Sequence, residues 1–183
     1  MRVITGAAKG RKLIAPKGMD TRPTSAMMKE TLFNVLQPLL ADASFLDLYS
    51  GSGAIGIEAL SRGAARSVFV ENDPSALDCI QKNIQHTGFE DKTSVLSTDV
   101  GKALKNLFDQ NQKFDIIFMD PPYGRKLPGK LLDAIASVLQ EDGVFIAEID
   151  AKASLPPCEA LAITKEKRTK TTAFVFMEMR GRS

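Results

Sequence analysis

Phe45-Leu46-Asp47-Leu48-Tyr49-Ser50-Gly51-Ser52-Gly53-Ala54-Ile55-Gly56 reads as an apolar strand that breaks at a glycine turn and passes straight into a helix. The spacing is Gly-x-Gly-x-x-Gly. Glycine permits the tight turn and lets a ligand approach the main chain. On its own this pattern also occurs in nicotinamide enzymes and in turns that bind nothing. What surrounds it decides the fold. Apolar runs suited to strands are expected at 44–49, 67–71, 93–96, 114–119 and 144–148. Helical patterns at 54–62, 75–85, 100–108 and 131–140 alternate with them. A strand–helix unit recurring about every 25 residues marks a parallel, doubly wound α/β sheet.

Both ends depart from the alternation. Segments 160–167 and 171–179 are strand-like and are parted by the polar turn Arg168-Thr169-Lys170, so an antiparallel hairpin is expected on the parallel sheet. Near the start, 2–5 and 11–15 read as strands of a hairpin across Gly6-Ala7-Ala8-Lys9-Gly10. Residues 17–23 read as loop, and Thr24 or Ser25 can cap a helix through Leu36. The division expected is a basic N-terminal extension over 1–24 and a main domain over 25–183.

A chain of 183 residues suits one such domain with a real core. No apolar run is long enough to span a bilayer, and Met1-Arg2-Val3-Ile4-Thr5-Gly6 has no signal-peptide character, so a cytoplasmic protein is expected. Cys79 and Cys158 read as reduced thiols. Together with His86, which reads as a surface residue, they are too few for a zinc site, and no metal is expected. The net charge of +2 hides a segregation: residues 1–29 carry +6, 160–183 carry +4 and 30–150 carry −8. The basic ends suit a polyanion-binding face.

Asp120-Pro121-Pro122-Tyr123 follows the apolar run Phe114–Met119. Two prolines remove two N–H donors and fix two φ angles, so the strand must stop there. Asp120 and Tyr123 then sit on a stiff loop at the carboxyl end of a strand, where open α/β sheets bind ligands. A carboxylate, bare carbonyls and an aromatic face suit a flat base gripped through its exocyclic amine. Glu71 ends the second strand, 20 residues after Gly51. It can accept from ribose hydroxyls or cap the helix at Pro74. Asp47 precedes the glycine turn, where it would attract a cationic ammonium and repel a pyrophosphate. That favours S-adenosylmethionine over a dinucleotide. Asp99 can accept from an adenine amine, with the Val100 amide donating to the ring, or can cap the following helix.

In this order, Leu46-Asp47-Leu48-Tyr49-Ser50-Gly51-Ser52-Gly53, Glu71, Asp99 and Asp120-Pro121-Pro122-Tyr123 resemble the Rossmann-like class I S-adenosylmethionine-dependent methyltransferases that act on base amino groups. Gly10-Arg11-Lys12-Leu13, Arg22-Pro23-Thr24 and Lys29-Glu30-Thr31-Leu32-Phe33-Asn34, with the first six residues, resemble the bacterial RsmD family, 16S ribosomal RNA (guanine-N2)-methyltransferases. The chain departs from that pattern at Ala7-Ala8-Lys9 and Ala26-Met27.

The resemblance implies an enzyme acting on 16S rRNA in the small ribosomal subunit or its assembly intermediate; the sequence carries no oligomerisation signature, so a monomer is the default expectation. The cofactor-binding residues would be Asp47, Tyr49, Gly51, Ser52, Gly53, Glu71, Asn72, Asp99 and Val100. Asp120, Pro121, Pro122 and Tyr123 would be catalytic, with Tyr123 stacking on the base. Arg2, Lys9, Arg11, Lys12, Arg22, Arg125 and Lys126 would meet RNA, the last two from a lid over 124–130. The tetrapeptide also serves adenine-N6 and cytosine-N4 methylation, in DNA or in large-subunit RNA, and a non-catalytic RNA-binding role stays open.

Overall fold

The computed structural model describes residues 1–16, 26–122 and 128–181. Among the described residues five α-helices, α1 (Ala26–Leu36), α2 (Ala54–Ser61), α3 (Pro74–Thr87), α4 (Val100–Asp109) and α5 (Gly129–Val138), accompany one seven-stranded sheet. Its strands are β1 (Ser44–Leu48), β2 (Arg66–Glu71), β3 (Thr93–Ser97), β4 (Phe114–Met119), β5 (Leu139–Asp150), β6 (Leu161–Arg168) and β7 (Thr172–Met179). The spatial order is β3-β2-β1-β4-β5-β7-β6. The first five strands are parallel; β7 is antiparallel to β5 and to β6. A dinucleotide fold continues parallel in the order 3-2-1-4-5-6. Here the C-terminal hairpin inserts its second strand next to β5.

Strand alternation sorts the core into two layers. Phe45, Phe69, Phe118, Ile146 and Phe174 pack with α1, α2 and α3. Leu46, Val68, Ile117, Phe145 and Val175 pack with α4 and α5. Chain order reverses between β1 and β4, so a crevice opens at the carboxyl ends of those two strands, the usual ligand position in this architecture.

The local chemistry explains most element ends. Asp73 accepts from the Ala76 amide to start α3, with Pro74 at the first helical position, and Gly88 ends it at φ 71°. Between β1 and β4, the Asp115 carboxylate accepts from both the amide and the hydroxyl of Ser44, at 2.8 and 2.6 Å.

Two expectations need correction. The helix expected to reach Gln140 ends at Val138, and Leu139 pairs with Phe114 as the first residue of β5. Leu139 is fully buried, and the register slips between Phe114 and Ile116, so the chain bulges through Gly143 instead of turning helically. The N-terminal strands shrink to one bridge, Arg2 to Lys12. Around it Val3 and Leu13 still donate across the hairpin to the Arg11 and Met1 carbonyls, and Gly10 to Val3, while the amides beyond Val3 are used elsewhere. Ile4 and Thr5 donate to Glu58, and Ala7 and Ala8 donate to Ser61, so this segment is laid on α2. Val3, Ala8 and Leu13 are buried in the same core layer as that helix.

Candidate active site

Asp47 leaves β1 on the α2 side of the sheet and is almost fully buried. Its Oδ2 accepts from the Gly56 amide at 3.0 Å, in the first turn of α2. Burial lifts its carboxyl well above the usual range; the charges of Asp120 and Glu71 add to that, and the Gly56 amide opposes it. Tyr49 follows at φ 58°, turning the chain off the strand. Ser50, absent from the expected site, continues the β1–β2 ladder. Its amide donates to the Val70 carbonyl and its hydroxyl accepts from the Val70 amide.

The three glycines do different things. Gly51 has φ 54°, and a Cβ there would meet nothing within 4 Å: this is the open side of the turn. Gly53 begins α2 from a left-handed conformation. At Gly56 a Cβ would lie 2.4 Å from Phe69 Cε1 and 2.6 Å from Ser67 Oγ, so helix and strand could not approach as they do. Ser52 is buried, and its carbonyl accepts from Asn83 Nδ2 at 2.9 Å.

Glu71 holds the other wall. Its Oε2 accepts from the Gly51 amide at 2.8 Å, and its Oε1 accepts from the Asn72 and Asp73 amides at 2.8 and 2.9 Å. A carboxylate has about four acceptor positions. Three are occupied by main chain, so one remains on Oε2 for a ligand hydroxyl. Asn72 is exposed at this rim. Asp99 caps α4 through the Lys102 amide at 3.0 Å, which holds its carboxyl below the usual range, and it stays exposed; Val100 is buried behind it.

Across the switch point, the Asp120 amide donates weakly to the Leu48 carbonyl at 3.4 Å. Its carboxyl is pushed up to about 6 by burial. Beside it stands a group that sequence reasoning missed. Glu148 lies on β5, one step beyond the Met119–Ala147 pair, and is 5% exposed. Burial and then the charge of Asp120 push it up to about 8. Pro121 is half-buried and Pro122 exposed. Tyr123, Arg125, Lys126 and Arg22 lie outside the described residues, as do 124–127 of the expected lid. Gly129 and Lys130 belong to the first turn of α5.

Arg2, Lys9, Arg11 and Lys12 are exposed on the N-terminal segment, with Arg2 and Lys12 opposite one another. Arg11 donates to the His86 carbonyl at the end of α3. Asn83, buried on α3, ties this segment to the glycine turn. It accepts from the Ile14 amide and donates to the carbonyls of Ile14 and Ser52. Lys29, counted above among the basic residues, is 3% exposed and faces inward, its Nζ 2.8 Å from Glu58 Oε2. A polar cleft of about 480 Å³ lies at the opposite strand ends, between β2, β3 and α4, and contains none of the site carboxylates. Among the described residues, no group of three or more His, Cys, Asp or Glu is placed to hold a metal ion.

A glycine turn after β1, acidic ends on β1, β2 and β4 and an inserted antiparallel β7 define the class I S-adenosylmethionine-dependent methyltransferase fold. The family model described as "Conserved hypothetical protein 95" matches residues 1–178. The chain belongs to that family, the RsmD family. The Escherichia coli K12 protein named "Ribosomal RNA small subunit methyltransferase D" is 36% identical over 143 residues, 78% of this chain and 68% of the relative. Its Haemophilus influenzae namesake is 32% identical over 178 residues, 95% of this chain and 91% of the relative. Among solved structures, a hypothetical protein of Thermus thermophilus matches with a TM-score of 0.84 at 27% identity, covering 98% of this chain and 99% of that one.

Proposed function

We propose that this chain methylates the exocyclic N2 of a guanine in 16S ribosomal RNA, taking the methyl group from S-adenosylmethionine. The RNA would be presented by the small subunit or an assembly intermediate, in the cytoplasm, to a monomeric enzyme. One observation carries the reading. Asp47, Glu71 and Asp120 come from the adjacent ends of β1, β2 and β4, and among the described residues none of the three is in an ion pair. Such a field repels a pyrophosphate and attracts a ligand carrying an ammonium and a sulfonium. The names of the relatives support ribosomal RNA as the substrate.

The residues present fit the cofactor. The open side of Gly51 leaves room against the main chain, and Glu71 Oε2 keeps one acceptor position for a ribose hydroxyl. Asp47 Oδ1 remains for the ammonium, while Oδ2 holds Gly56. The Asp99–Val100 corner would take the adenine. When bound, S-adenosylmethionine supplies an activated methyl group.

The protein's task is then placement and proton handling. Asp120 and the Pro121 carbonyl accept from the target amine; among the described residues nothing else donates to that carbonyl. Those bonds favour a pyramidal nitrogen and free its lone pair. Orientation can supply several of the roughly 7–11 kcal/mol available from proximity. Tyr123 would stack on the base, worth about 1–3 kcal/mol. A base buried in a helix cannot reach these groups, so the target is in a loop or flipped out. Arg2, Lys9, Arg11, Lys12 and Arg22, with Arg125 and Lys126, would hold phosphates.

The test is methyl transfer from labelled S-adenosylmethionine to small subunits, naked 16S RNA, large subunits and DNA that lack this modification, followed by nucleoside analysis. N2-methylguanosine on small subunits or 16S RNA is the expected product. Label on DNA or large subunits, or on another base, overturns the substrate.

A further inference from the structure

Asp120 and Glu148 leave neighbouring parallel strands, spaced about 4.8 Å apart. Both lie on the sheet face that carries Phe118, Ile146 and Phe174. Among the described residues, neither carboxyl has a hydrogen-bond partner. Among the described residues on the strands beside them there is no buried counter-charge. On β7 the residue paired with Glu148 is Phe174. Beyond it on β6 comes Lys167, which is exposed. From β1 the nearest titratable group is Asp47, itself acidic and buried, and on β5 the next is Asp150, exposed at the strand end. Two carboxyls in one apolar corner, with no ion pair to either among the described residues, cannot both ionise cheaply; they hold one proton between them.

We propose that Glu148 acts as a neutral carboxylic acid that donates a hydrogen bond to the Asp120 carboxylate, orienting it toward the target amine. Glu148 is thus a positioning residue for methyl transfer, and the inference rests on the function proposed above. The proton stays on the residue whose carboxyl is harder to ionise, Glu148, and leaves Asp120 as the acceptor. As the amine lone pair forms the N–C bond, the C–S electron pair returns to sulfur. The amine N–H proton passes to Asp120, both carboxyls become neutral, and release of one proton to water restores the monoanion.

The pH dependence is diagnostic. In the wild type, kcat/KM rises as Asp120 ionises near pH 6 and falls as Glu148 loses its proton near pH 8. Glu148→Gln keeps a donor that cannot ionise, so the alkaline fall disappears. Glu148→Ala removes the donor, and the acidic limb moves up by about one pH unit, a tenfold loss on that limb. A second readout needs neither cofactor nor RNA. In the free protein labelled with ¹³C at side-chain carboxyls, Glu148 titrates far above other glutamates, and its alkaline step is absent from the Asp120 signal of Glu148→Gln. A Glu148 signal that titrates with the ordinary glutamates overturns the inference, as does a Glu148→Gln profile that superimposes on the wild type. If the wild type methylates nothing, the function proposed above fails, and the carboxyl titration still decides the pairing.

Discussion

Replacing Glu58 with Gln tests whether the N-terminal segment is locked by a buried charge. Glu58 lies on α2 with no solvent exposure and takes four donors. The Ile4 and Thr5 amides approach at 2.8 and 3.0 Å, Lys29 Nζ at 2.8 Å and Arg62 Nε at 2.8 Å. Lys29 also donates to the Arg2 carbonyl at 2.8 Å, so the segment is held from both sides. A Gln side chain keeps one acceptor oxygen, turns an NH₂ toward donors and leaves Lys29 buried without its counter-charge. Breaking a buried pair in this way costs about 3–5 kcal/mol. For a chain of this size that is a fall in Tm of about 6–20 °C, or a large part of a typical stability of roughly 5–15 kcal/mol.

Urea and thermal unfolding of wild type and Glu58→Gln at pH 7 measure it. A loss below about 1 kcal/mol, the range of an exposed ion pair, would refute the buried clamp. The double variant Lys29→Met with Glu58→Met removes both charges and restores much of the loss if charge isolation is the cause. The pH dependence has a definite sign. Burial alone would raise the Glu58 carboxyl, but the Lys29 ammonium, the Ile4 amide and Arg62 outweigh it and hold it below the usual value. A depressed carboxyl binds its proton less readily when folded. Its contribution is complete above the unfolded value of about 4.3 and is lost as pH falls through the folded one. Wild type should therefore lose stability across that acid window more steeply than Glu58→Gln.

Asp120→Ala should nearly abolish methyl transfer and leave cofactor affinity within a few-fold, measured by calorimetry; loss of cofactor binding would remove Asp120 from the acceptor role. Gly56→Ala puts a Cβ 2.4 Å from Phe69 Cε1 and should cost about 1–3 kcal/mol in urea unfolding by overpacking. A wild-type midpoint would mean that α2 can lift off β2 freely. Neutralising Arg11, Lys12 and Arg22 should weaken RNA binding and flatten log Kd against log salt by about 2 units, at roughly 0.7 per single-strand phosphate contact. An unchanged slope would take the N-terminal segment off the RNA face.

The parallel alternation and the C-terminal hairpin were legible because each signal is local: an apolar run, a proline pair, a glycine spacing. The boundary at Leu139 was not, since what draws it into a strand is Phe114, 25 residues away, and not its own helical pattern. Lys29 shows the same limit for charge. Counted along the chain it joins a basic surface, yet Glu58, 29 positions later, turns it into the core. Asn83 reads as one more polar residue on an amphipathic helix until Ile14 and Ser52 are seen on its two sides.

The acidic row of the site depends on register most of all. Asp47 stands opposite Phe118, and Phe118 stands opposite Ile146. Moving two residues along β4 and β5 therefore brings Asp120 and Glu148 onto the face that Asp47 already occupies. A one-residue slip in either pairing would send one carboxyl to the opposite layer, among Leu104 and Leu132, where no ligand could reach it. The Asp120-Pro121-Pro122 stop names one member of the pair from sequence alone. The other member follows only once β4 and β5 are aligned, because nothing adjacent to Glu148 in the chain distinguishes it from an ordinary strand end.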